Sequence, residues 1–194
     1  MRLEIETAPN RAVTALQKGV ERTGPPSEEL RVSPLIPVYF LRSSTVDPLS
    51  ETEMVGWRSL VFQDDKPIAV AEVASAEGDW KFLQLIEGPD VHHAVEAVEQ
   101  VKHEFDYLDV PLYLRFLESP ELQLASVWLH GTNTDIYVPL NDGIEDLRAL
   151  KPCARPVFRD AISNAVAHLK SGDSAFPSVS RASFNAGAYF KASV

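Results

Sequence analysis

Hydrophobic and polar positions alternate along much of this chain, and where alternation stops they recur at helical spacing. Arg2, Glu4 and Glu6 interleave with Met1, Leu3 and Ile5, which predicts a half-buried strand. From Asn10 to Arg22, Val13, Leu16 and Val20 repeat every three or four residues, and Gly24, Pro25 and Pro26 end that helix. Pro37 to Ser43 reads as a short strand. Ser50 and Glu53 have the spacing of a capping box, which predicts a brief helical turn before Trp57. WRSLVF and IAVAEVA flank the polar QDDKP turn and form a hairpin, and Glu77, Gly78 and Asp79 turn the chain into WKFLQLIEG.

Gly88 and Pro89 open an amphipathic helix that runs to Phe105, with Val91, Ala94, Val95, Val98, Val101 and Phe105 on its apolar side. Three further strands follow, Pro111 to Glu118, Gln123 to His130 and Asp135 to Val138. A last helix spans Pro156 to Lys170, with Phe158, Ile162, Ala165 and Leu169 inward. The expected fold is α+β: a mostly antiparallel sheet of six to eight strands with two or three helices packed on one face. Two successive βββα units, Trp57 to Phe105 and Pro111 to Lys170, raise the idea of a duplication, although the two share no residue-level identity. Residues 1–171 read as one domain, and residues 172–194, rich in Ser and Ala, as a polar, mobile tail.

Composition narrows the function classes. The chain has 194 residues, 45% hydrophobic and 24% charged, enough apolar material for a core. Its net charge of -10 argues against nucleic acid and anionic membrane surfaces, both of which attract clustered Lys and Arg. The single cysteine, Cys153, excludes an internal disulfide and a cysteine-based zinc cage. The start lacks a secretory pattern, and the apolar runs are too short to span a bilayer, so the expected location is cytoplasmic. No P-loop, G-x-S-x-G elbow or G-x-G-x-x-G appears, and no cofactor is implied.

Two sets of residues are candidates for chemistry. His92, Glu96, Glu99 and His103 share one face of the central helix, and two imidazoles with two carboxylates suit a divalent transition metal, as in a metal-dependent hydrolase. The competing reading is a solvated face braced by i,i+4 pairs. Glu72, Gln84, Arg115 and His130 interrupt apolar strands and, on a shared face, would line a ligand or enzyme pocket; buried charges there need partners. FLQLIEGP followed by a helix resembles the strand-to-helix junction of BLUF-type flavin photosensor domains. MRLEIET has no flavin-contacting tyrosine and the Asp-Arg-His motif is missing, so the resemblance carries no site. The leading expectation is a non-catalytic binding or interaction protein, engaging a protein partner or a twin subunit through the sheet.

Overall fold

The computed structural model describes residues 2–23, 30–42, 49–105 and 107–171. The expected tail, residues 172–194, lies outside them. Among the described residues, three helices and ten strands follow one another. The first part contains β1 (Arg2–Glu4), α1 (Asn10–Thr23), β2 (Leu30–Val32), β3 (Ile36–Leu41) and β4 (Thr52–Gln63). β5 (Lys66–Ala76), β6 (Asp79–Ile86) and α2 (Pro89–Glu104) come next. The chain then forms β7 (Pro111–Ser119), β8 (Leu124–His130), β9 (Asp135–Pro139), β10 (Cys153–Ala154) and α3 (Arg155–Ser171).

All the strands join one mixed sheet, ordered β10-β9-β8-β7-β3-β4-β5-β6, with β1 beside β7 and β2 beside β4. The sheet is larger than expected because β2 and β10, two or three residues each, are too short to leave a period in the sequence. It is mixed because β1 and β3 both run parallel to β7. The two βββ units are therefore halves of a continuous sheet, with β3 between them.

Tight turns set the register of the first half. Gln63 pairs with Lys66 around Asp64 and Asp65, whose φ angles are 49° and 61°. Ala76 pairs with Asp79 around Glu77 and Gly78, at 55° and 82°. Two consecutive positive φ values match the right-handed twist of the flanking strands, and Asp, Asn and Gly tolerate them best. The proline expected in the first turn, Pro67, sits inside β5 instead. The expected helical turn at Ser50 gives way to β4, which begins at Thr52; backbone pairing with β3 prevails over the local capping pattern.

Helices cover both faces of the sheet, not one. α2 lays Val91, Ala94, Ala97 and Val101 over Val38, Leu60, Val70, Phe116, Val127 and Val138. On the opposite face α1 covers Trp57, Val61, Ala71 and Val73, and α3 covers Leu117, Trp128 and Tyr137. The central positions of β5 are all buried, and all but Glu72 are apolar, because each face meets a helix. The helices of the fold itself cover both faces of these strands. Each large aliphatic side chain sealed in these layers contributes about 1.5–3 kcal/mol. No described helix is long and apolar enough to cross a membrane.

Candidate functional site

Because side chains alternate across a strand, the face of each polar residue follows from its neighbours. Glu72 has the direction of Val70 and points to the α2 face. Gln84 pairs with Glu72 across β5 and β6, and its Nε2 donates to Glu72 Oε2 at 2.9 Å. Arg58, opposite Glu72 on β4, donates to Glu72 and to Glu118 from β7. All three charged side chains are buried. Burial of a carboxylate in a sheet is tolerable only with such a partner. The Arg58 guanidinium also lies over the Phe116 ring, 5.6 Å from its centroid.

Arg115 and His130 point to the other face, since their neighbours Leu114, Phe116 and Leu129 belong to the α2 side. The expected quartet therefore does not converge: the thickness of the sheet separates Glu72 and Gln84 from Arg115 and His130. The two parity classes can be read along each strand, but relating one strand to another requires the register.

Arg115 and His130 do share a constellation, most of whose members sequence reasoning missed. Arg115 faces Trp128 across the β7–β8 pair. Its guanidinium lies 4.8 Å from the centroids of both Tyr39 and Trp128, and it donates to Glu6 at 2.7 Å. The Trp128 ring meets the His130 ring edge-on at 5.1 Å and stacks with Tyr137 at 6.0 Å. Tyr137 stacks on Phe158 of α3 at 4.1 Å.

One carboxylate organises the far end of this row. Asp135 Oδ1 accepts the Trp128 indole N–H at 3.0 Å and lies 2.8 Å from His130 Nδ1, while Oδ2 accepts from Arg155 at 3.1 Å. Asp135 is buried, whereas the His130 and Arg155 side chains are 37% and 48% exposed. Facing the carboxylate, His130 Nδ1 acts as donor, which directs Nε2 away from the carboxylate. Burial is the main cause raising the Tyr39 hydroxyl pKa; Arg115 lowers it and Glu6 raises it. Beside them, Tyr113 is raised by its hydrogen bond to Glu4, and the Glu4 carboxyl is lowered by its hydrogen bond to Arg2. The signal in the sequence is period two, Tyr113–Arg115–Leu117 and Ser126–Trp128–His130. Glu6, Tyr39, Asp135 and Arg155 arrive from four other segments, and no local pattern marks them.

The metal candidates lie on the outer side of α2, where His92, Glu96, Glu99 and His103 are all exposed. Glu99 pairs with Lys102 at 2.7 Å. Among the described residues no group of three or more His, Cys, Asp or Glu side chains is placed to hold a metal. A single straight helix spreads its ligands along a line, so convergence needs a second element. The inward histidine is His93, whose Nδ1 lies 3.0 Å from the Leu140 carbonyl oxygen. Cys153 is half-buried, and burial pushes its thiol up to about 11, away from the range of a reactive thiolate.

Comparison with protein-family models, with curated proteins and with solved structures finds no match for this chain.

Proposed function

We propose that this chain is a non-catalytic interaction protein, and that the sheet face around Arg115 is its recognition surface. The observation that carries the reading is the guanidinium packed against both Tyr39 and Trp128, 4.8 Å from each ring centroid, where the two rings meet edge-on at 5.4 Å. Arginine, tyrosine and tryptophan are the residue types that dominate binding energy at protein interfaces. Of these, the half-buried Arg115 and Tyr39 face a partner; Glu6 and the buried Trp128 behind the guanidinium hold Arg115 in place before association, so less side-chain entropy is lost. The half-exposed His130 and Arg155 supply a polar rim, and the partner expected is a protein or a second copy of the chain.

Site-specific photocrosslinking tests this. A photoreactive residue in place of Val157, exposed at the start of α3, is compared with one in place of Glu99 on the outer side of α2. The expected result is a discrete adduct from position 157 alone, lost when Arg115→Ala is added. An adduct of twice the chain mass identifies self-association. Identical products from both positions, no adduct, or adducts indifferent to Arg115→Ala refute the reading.

A further inference from the structure

The margin of the sheet farthest from Arg155 carries a different surface. β6 ends the strand order, and among the described residues no strand pairs with its outer side. Its pairing with β5 is regular from Asp79 to Phe82 and then shifts, leaving Leu83 out of register. Within the regular stretch the Trp80 N–H is taken by Asp79 Oδ1 at 2.9 Å, the other outward backbone groups have no strand partner among the described residues, and Lys81 is its only cation. A bulge and a charge commonly limit such an edge without abolishing it.

Beside that stretch lies a shallow groove between the N-terminal half of α1 and the start of β6, lined by Arg11, Thr14, Lys18, Asp79 and Trp80 among others. Arg11 and Lys18 lie seven residues apart, about 10 Å along the helix, and therefore on one stripe. Both are exposed, and neither has a carboxylate partner among the described residues. Asp79, the acid of the groove, caps the Trp80 backbone N–H at 2.9 Å, and Lys81 is engaged by Glu77 at 2.6 Å. Two cations without a carboxylate partner among the described residues thus flank a half-buried indole in a chain whose net charge is -10.

We infer that an acidic, extended peptide segment adds to the sheet along Asp79–Phe82, with its carboxylates on Arg11 and Lys18 and an apolar side chain against Trp80. Strand addition supplies affinity through main-chain hydrogen bonds, and alternate side chains supply selectivity. A second copy of this chain suits the groove less well, because its corresponding edge presents Glu77, Asp79 and Glu87. The inference is independent of the Arg115 face, which lies beneath β3, β7 and β8.

Fluorescence anisotropy at low salt tests it, with a short fluorescein-labelled peptide of repeated Val-Val-Glu-Glu as the probe, so that one face of the strand carries both side-chain types. The expected result is saturable binding, absent for the matched valine–lysine peptide. Arg11→Ala/Lys18→Ala, with an unchanged circular dichroism spectrum, weakens binding about tenfold, the scale of two surface charge contacts. N-methylation of alternate peptide amides abolishes binding in one of its two registers, and Arg115→Ala leaves binding intact. No binding, equal binding of the lysine peptide, or binding indifferent to N-methylation in both registers overturns the inference.

Discussion

The His130 imidazole and the Asp135 carboxylate face each other across the β8–β9 pair at 2.8 Å, on the same oxygen that accepts the Trp128 indole N–H. A loop of residues 131–134 closes that hairpin, and Gly131 N donates to Thr134 O at 2.9 Å, so the pair is held by backbone as well as by side chains. One buried carboxylate thus orients an imidazole, an indole and the Arg155 guanidinium together.

Asp135→Asn removes the charge and keeps the shape. Its amide has one carbonyl oxygen for three donors, two of them cationic or able to become so. The expected cost is about 2 kcal/mol, in line with hydrogen bonds to charged groups. Urea unfolding at neutral pH measures it, and a change below a few tenths of a kcal/mol would show that Asp135 is not the organising group.

The buried Arg58 cluster should respond asymmetrically. Arg58→Met leaves Glu72 and Glu118 buried without that cation and is expected to cost about 3–5 kcal/mol. Adding Glu72→Leu and Glu118→Leu restores much of the loss, because an apolar trio then fills the space between the sheet and its α2-side layer. Denaturant midpoints of the single and triple variants decide this, and a triple variant weaker than Arg58→Met contradicts it.

Cys153 should alkylate slowly. With its thiol at about 11, the thiolate fraction at pH 8 is roughly 100-fold below that of an ordinary cysteine. Iodoacetamide labelling of the native protein, against the same protein in urea, gives the ratio. The folded pKa is raised, so the associated stability is present below the ordinary thiol range and fades as pH rises toward about 11.

Gly19 allows α1 to approach β6. A Cβ there would lie 2.0 Å from the Phe82 ring, so Gly19→Ala forces a shift of the ring or the helix. The expected destabilisation is about 1–3 kcal/mol despite alanine's better helix propensity. Phe82→Leu in the same chain should recover part of it. Additive losses in the double variant would show that the two sites are not in contact.

The helices are legible in the order of residues alone. α1 begins at Asn10 as expected, and Leu16 and Val20 are buried. The inner stripe of α2 lies slightly off the expected one, with Ala97 fully buried and Val98 half-buried. In α3 the expected Leu169 is 37% exposed, because the last turn runs past the edge of the layer beneath it. β4 and β5 are legible as a hairpin because strand period and turn chemistry agree over adjacent residues. The short β2 and β10 are not, since two or three residues carry no period.

Glu72 and Arg115 mark the boundary between the two kinds of information. Local order along the chain determined that each is a charge within an apolar strand, that each needs a partner, and that helices alternate with strands. Which sheet face each one occupies, and that Arg58 and Glu6 are the partners, was decided only in three dimensions. Periodicity is a property of neighbours in sequence, whereas strand register and face depend on pairing between residues tens of positions apart.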